Sequence, residues 1–118
     1  MIFRRVFILL LLYGIVWPKP SIAGWCVGVP DRVQLVKDGR VELISQGLYQ
    51  DGHGRQICHL KQEWKGVAKE ACVAWYSAIL AAMVQKTKVM MQYPPNDHCQ
   101  SQLHWGNAEP PHMISNYN

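Results

Sequence analysis

The residues best suited to chemistry lie near the end of the chain, in the segment 103–118 (LHWGNAEPPHMISNYN). Trp105 offers a flat face on which the C–H groups of a sugar can pack, and the amide of Asn107 can donate and accept hydrogen bonds to hydroxyls. Pro110 and Pro111 would hold such a loop with little entropy left to lose on binding. The segment is therefore a candidate ligand-binding loop.

Two further rings are candidates for the same site. His112 directly follows the prolines, and Trp64 stands between two charged residues in a predicted loop. Each candidate also has a structural alternative. His112 can close the end of a strand, both tryptophans can cover the end of a packed core, and Asn107 can serve in a turn.

The sequence does not favour an enzyme. It contains no glycine-rich phosphate loop and no G-x-S-x-G motif, and its carboxylates are sparse. No cofactor motif is present either. A structural metal is the weaker interpretation of the cysteines, because the chain has no CxxC and His98, Cys99 and His104 lack a zinc spacing.

The first 23 residues have the composition of a signal peptide. A basic pair, Arg4 and Arg5, precedes an apolar run at 7–17, and prolines end this run. Small residues then lead to a cleavage site after Ala23. The run is short for a membrane span, which needs roughly 20 residues. We therefore expect a secreted chain that passes through the periplasm, with a mature domain at 24–118. An uncleaved anchor is the alternative.

Removing this segment changes the charge balance. Residues 1–23 hold three of the 12 basic residues and no acidic one, so 24–118 keep nine against eight, a formal charge of +1. No basic face remains that would indicate nucleic acid, whose recognition depends on neutralising phosphates.

Four cysteines remain in the predicted mature chain: Cys26, Cys58, Cys72 and Cys99. An even count in a short exported chain indicates two disulfides, which a small domain uses to supplement a limited core. Four cysteines allow three pairings, and their spacing does not choose among them.

The elements that must position these residues begin with a hairpin around Asp38-Gly39. A three-residue turn that ends at Gly39 would oppose Leu35 to Val41 and Val33 to Leu43, which puts four apolar side chains on one face. The turn also gives glycine the left-handed position that it adopts without steric cost. A third strand is expected at 55–60.

From 67 to 85 the apolar spacing changes to steps of three and four, which predicts a helix with Gly66 as a possible N-cap. The segment 71–84 carries no charge on any face. A helix that is apolar all round is normally covered on more than one side. We therefore expect a partner subunit on the side that the sheet leaves open, with a membrane helix as the alternative.

Strands are expected at 88–93 and, with a proline-stiffened loop inside the last one, around 103–105 and 112–117. The predicted order is β-β-β-α-β-β. The fold class is mainly β with one long helix (α+β). This is the order of an OB-fold-like five-stranded barrel.

Two stretches resemble the pentameric binding (B) subunits of bacterial AB-type toxins. "WGNAEPPHMI" is similar to the C-terminal segment of the cholera-type B subunit, with one extra proline. The resemblance implies that Trp105 stacks on a sugar and that Asn107 hydrogen-bonds to it. The family's next residue is a lysine that also contacts sugar; here it is Ala108, so the same sugar is not implied.

The second stretch, "ICHL…KEACVAW…KVMMQY", is similar to the B subunits of pertussis-like toxins and of subtilase cytotoxin. This resemblance implies a bridge between Cys58 and Cys72 and leaves Cys26 to pair with Cys99.

Together these observations lead to two hypotheses. The first is a secreted toxin B-subunit-like protein that binds a host cell-surface glycan, assembles as a homo-oligomeric ring (a pentamer by resemblance) and carries a separate catalytic A chain. The alternative is a small secreted or periplasmic OB-fold binding or inhibitor protein with no toxin partner.

Overall fold

The structure is a computed structural model that describes residues 24–94 and 97–117. The segment 1–23, for which a signal peptide is predicted, lies outside the described residues, as do 95, 96 and 118. The described chain is mainly β with one long helix, which confirms the predicted fold class at that level.

Six strands and two helices follow one another in the described chain. They are β1 (Trp25–Gly28), β2 (Arg32–Leu35), β3 (Arg40–Ile44), α1 (Gln46–Tyr49), β4 (Arg55–His59), α2 (Lys69–Gln85), β5 (Lys88–Gln92) and β6 (Met113–Tyr117). A 3-10 turn, Cys99–Ser101, lies between β5 and β6.

The strands form two antiparallel sheets of three, in the orders β2-β3-β4 and β1-β5-β6. The expectation of one five-stranded barrel is therefore wrong: the described residues contain a sixth strand, β1, and no closed barrel. Only four residues long, β1 shows too little alternation to stand out in the sequence. Pro30 separates β1 from β2, and because proline has no N–H it interrupts a ladder where the chain passes from one sheet to the other.

The last strand is also shorter than expected. β6 covers Met113–Tyr117, whereas the predicted contribution from 103–105 is reduced to an isolated parallel bridge between Trp105 and Arg55. This bridge connects β4 to the segment that leads into β6.

The first hairpin has the predicted register. Val33 faces Leu43 and Leu35 faces Val41, and Gly39 has the left-handed φ of 108° that the three-residue turn requires. Val41 and Leu43 are fully buried, whereas Leu35, at the end of the hairpin, stays 53% exposed.

The long helix buries an apolar stripe with the predicted spacing, except that Ala68, which the spacing also includes, is the exposed N-cap. Cys72, Ile79 and Ala82 are buried, and Trp75 and Met83 pack against the core that they form with both sheets. The helix begins at Lys69, two residues later than expected, because Gly66 belongs to a preceding turn.

The other side of α2 is open in this single chain. Val73 and Leu80 are exposed, and Val84 is 83% exposed. Within the described residues, no helix combines the length and apolarity that crossing a membrane requires.

Two disulfides connect the elements. Cys58 of β4 is bonded to Cys72 of α2, with their Cα atoms 5.4 Å apart, and Cys26 of β1 is bonded to Cys99, with Cα atoms 6.2 Å apart. The pairing implied by the family resemblance is confirmed. Such bonds persist in oxidising surroundings, so the chain belongs in an extracellular or otherwise oxidising compartment.

Candidate functional site

Trp105 is fixed to the edge of β4 by its backbone. Its N–H donates to the carbonyl of Gly54 at 2.7 Å, and its carbonyl accepts from the N–H of Gln56 at 3.0 Å. The residue has a φ of 55°, which is uncommon for a side chain of this size. These two hydrogen bonds hold the backbone in that conformation and so determine where the ring lies.

The indole ring of Trp105 lies against Gly54. A Cβ added at Gly54 would come within 2.6 Å of Cζ3 of the ring and 3.0 Å of Cε3, so only glycine allows this contact. The ring nevertheless stays 43% exposed. Trp105 therefore presents an aromatic surface to solvent from a fixed position.

Polar groups stand next to Gly54 and Trp105 in the chain. His53 and His104 precede Gly54 and Trp105, and their imidazoles stack with centroids 4.2 Å apart. His104 Nε2 lies 3.6 Å from the carboxylate of Asp51. An imidazole can donate or accept a hydrogen bond with a ligand hydroxyl, and an ionised carboxylate can accept one.

A buried arginine anchors the two loops beneath these groups. Arg55 is only 1% exposed, and its guanidinium donates to both oxygens of Asp51, to the carbonyl of His53 at 3.0 Å and to the carbonyl of Gln102 at 3.2 Å. It lies over the ring of Tyr49, 4.5 Å from the centroid. The hydrogen bonds from Arg55 hold the pKa of Asp51 well below its usual range.

Two tyrosine hydroxyls form the floor of this network. Those of Tyr49 and Tyr93 are hydrogen-bonded at 2.9 Å. Burial raises the pKa of Tyr49 to about 12 and raises that of Tyr93 as well, so both hydroxyls stay protonated at physiological pH. The network is a rigid base for the exposed groups above it.

Asn107 is exposed in the turn that follows Trp105. The N–H of Ala108 donates to the carbonyl of Trp105 at 3.2 Å, which closes the turn. Lys65 Nζ donates to the carbonyls of Ala108 at 2.7 Å and Gly106 at 3.5 Å, one on each side of Asn107. The turn is therefore stabilised by hydrogen bonds from a lysine in a distant part of the sequence, which the sequence patterns did not indicate.

Trp64 is connected to this turn through Lys65, whose Nζ lies 4.9 Å from the centroid of the Trp64 ring. Lys65 and Gly66 have φ values of 46° and 86° and form a tight turn closed by two backbone hydrogen bonds between Trp64 and Val67. Gly66 is thus a turn residue, and the N-cap of α2 is Ala68.

His112 lies elsewhere, in a groove of about 540 Å³ between the start of α2 and the two prolines. Its backbone N–H donates to the carbonyl of Gln92 at 2.6 Å. The four predicted ligand residues therefore fall in three places: Trp105 and Asn107 share one turn, Trp64 is next to it through Lys65, and His112 is in the groove.

Sequence reasoning did not find Asp51, His53, Arg55 or Lys65 as parts of this region. The one sequence signal for His104 was its position directly before Trp105. Within residues 24–94 and 97–117, no group of three or more histidine, cysteine or carboxylate side chains is placed to hold a metal ion.

No protein-family model, curated protein or solved structure matches this chain. Its function therefore has to be inferred from the residues and their arrangement.

Proposed function

We propose that this chain is a secreted binding subunit, not an enzyme, that binds a host cell-surface glycan through Trp105 and Asn107. The observation that carries the proposal is the exposed Trp105, whose ring is held against Gly54, with the imidazoles of His53 and His104 on the preceding residues of the two loops. A sugar ring combines an apolar C–H face with hydroxyls, and this surface offers a partner for each.

The rigidity of the surface also supports binding. The Trp105 backbone is tied to β4, the Asn107 turn is held by Lys65, and the loops beneath are anchored by buried Arg55. A surface that is already ordered loses little entropy when a ligand arrives. The resemblance to toxin B subunits points to the same two residues.

The open side of α2 supports assembly with further copies. Val73, Leu80 and Val84 present an apolar stripe that one chain leaves uncovered. Cyclic contacts between different surfaces of identical chains close into rings. The pentameric number and the separate catalytic A chain come from the family resemblance alone.

A glycan array tests the ligand. The wild-type mature protein should bind a glycan on the array. Trp105→Ala should bind that glycan about tenfold or more weakly, because the ring provides the apolar contact. Trp25→Ala is the matched control, because Trp25 is 41% exposed on β1, and it should bind like wild type. Equal binding by all three proteins would remove Trp105 from the site.

Light scattering after size exclusion tests the assembly. A ring is expected for the wild-type protein, and Val84→Glu should dissociate it by placing a charge in the apolar contact. A wild-type monomer that binds no glycan would instead favour the small secreted binding or inhibitor protein. Intact-mass measurement of the exported chain, with residues 1–23 missing, tests the proposed secretion route.

A further inference from the structure

The groove beside His112 has the size and the composition of a second ligand site. Its volume of about 540 Å³ falls within the range of about 300–1,000 Å³ that small-molecule sites occupy. The half-buried ring of Trp75 and the prolines Pro94 and Pro111 form an apolar wall. Lys65, Asp97 and His112 contribute polar groups at its border.

The walls of the groove are held in place without a ligand. Pro111 is fully buried, and the N–H of His112 is bonded to the carbonyl of Gln92. The N–H of Asp97 donates to the carbonyl of Pro94 at 2.9 Å. Prolines fix the backbone φ, so little conformational freedom remains to be lost on binding.

The charges around the groove favour a neutral, hydroxyl-rich ligand. Lys65 Nζ lies 3.5 Å from the carboxylate of Glu109, so these two charges compensate each other. Asp97 adds an acceptor and His112 an imidazole that can donate or accept. An anion would meet the carboxylate of Asp97 in addition to this compensated pair, and a purely apolar ligand would leave these polar groups without partners. A sugar ring can satisfy both the aromatic wall and the polar border.

The groove is separate from the Trp105 surface but adjoins the Asn107 turn through Lys65. Lys65 lines the groove and also donates to the carbonyls on both sides of Asn107. His112 is four positions after Ala108, which ends the turn, so their Cα atoms are at most about 14 Å apart. One extended ligand can therefore contact both places.

We infer that the groove is a second sugar subsite, so that the ligand is an oligosaccharide with one sugar on Trp105 and another against Trp75. This inference rests on the proposed glycan-binding function and names its ligand class. It predicts that a whole oligosaccharide binds more tightly than the terminal sugar alone, because only the longer ligand reaches the groove.

The test uses the mature wild-type protein on an array that carries each mammalian glycan both whole and as its terminal monosaccharide. Wild type should prefer the whole glycan by about tenfold or more. Ala71→Phe places a ring in the groove. This variant should bind the whole glycan and the monosaccharide with about equal affinity, and its monosaccharide binding should equal that of wild type. Gln85→Phe is the control, because it adds the same ring to the exposed end of α2 about 21 Å away.

His112→Ala keeps the test valid if Ala71→Phe does not fold, because the His112 side chain is exposed; it should reduce the preference about threefold. An unchanged preference in both groove variants would overturn the subsite and leave the Trp105 site standing. If the groove variants lose all binding and Trp105→Ala binds like wild type, the proposed Trp105 site would be overturned instead. Groove-dependent binding to an enzymatically deglycosylated glycoprotein would mean a peptide occupant and would also overturn the subsite.

Discussion

Replacing Gly54 by alanine is expected to displace the ring of Trp105 and to destabilise the fold. The new Cβ would lie 2.6, 3.0 and 3.2 Å from three carbons of the ring, whereas carbon atoms in contact prefer about 3.5–4.0 Å. The ring would have to retreat by about 1 Å while the Trp105 backbone stays hydrogen-bonded to β4. Overpacking of this kind costs about 1–3 kcal/mol of the free energy of unfolding.

Thermal unfolding followed by circular dichroism measures this cost. In a domain of roughly 95 residues, each kcal/mol lowers Tm by about 4–8 °C. Gly52→Ala is the matched control. A Cβ at Gly52 would have Gln46 Nε2 as its nearest neighbour, 3.8 Å away, so this variant should be as stable as wild type or slightly more stable.

A double-mutant cycle shows whether the ring is the cause. In a Trp105→Ala background the clash has no partner, so Gly54→Ala should change the free energy of unfolding by less than about 0.5 kcal/mol. A cost of the same size in both backgrounds would refute the reasoning. The same variant should also weaken glycan binding, because it moves the aromatic surface without removing it.

Three further predictions concern the scaffold beneath the site. Asp51→Asn should lower the free energy of unfolding by about 3 kcal/mol in urea at pH 7, because buried Arg55 loses its charged partner. Because the folded pKa of Asp51 is depressed, its stabilisation is fully present above its unfolded pKa of about 4 and is lost as pH falls below it. The difference between wild type and this variant should therefore be constant from pH 7 to pH 5 and shrink below pH 4. Removing the Cys58–Cys72 bridge, whose cysteines are 14 residues apart, should lower the free energy of unfolding by about 3 kcal/mol. Removing the Cys26–Cys99 bridge, whose cysteines are 73 residues apart, should lower it by about 4.4 kcal/mol, because the longer loop regains more entropy in the unfolded chain.

Matched controls sharpen these scaffold predictions. Asp38 pairs with Arg40 in the open, so Asp38→Asn should be nearly as stable as wild type. An equal cost for Asp51→Asn would mean that burial of Arg55 is not the source of the effect. A growing difference below pH 4 would contradict the sign of the pKa argument. For the disulfides, a larger loss from Cys58–Cys72 than from Cys26–Cys99 would contradict the loop-length explanation.

The features predicted correctly are those whose determinants lie close together in the chain. The hairpin register follows from two apolar residues before Gly39 and two after it. The alternation that selects this register is visible within about ten residues. The stripe of α2 is visible in the same way through Cys72 and Ile79. β1 is the exception among the strands, because its sequence, WCVG, does not alternate apolar and polar residues as that of β2 does.

The arrangement of the candidate site depends on contacts between distant parts of the chain. His53 stacks on His104, and Lys65 reaches the carbonyls around Asn107, across more than 40 residues in each case. The burial of Arg55 was likewise not predictable from the sequence, since an arginine in a strand is ordinarily expected to be exposed to solvent.

The sequence by itself determined that this chain is mainly β with one long helix and that its cysteines are even in number. It also identified Trp105 and Asn107 as neighbours in one loop. Only the tertiary structure decided that the strands divide into two sheets, that Gly54 holds the ring of Trp105, and that His112 belongs to a separate groove. The physical reason is that periodicity and turn chemistry act over a few residues, whereas a site is made where loops meet that only the packed core brings together.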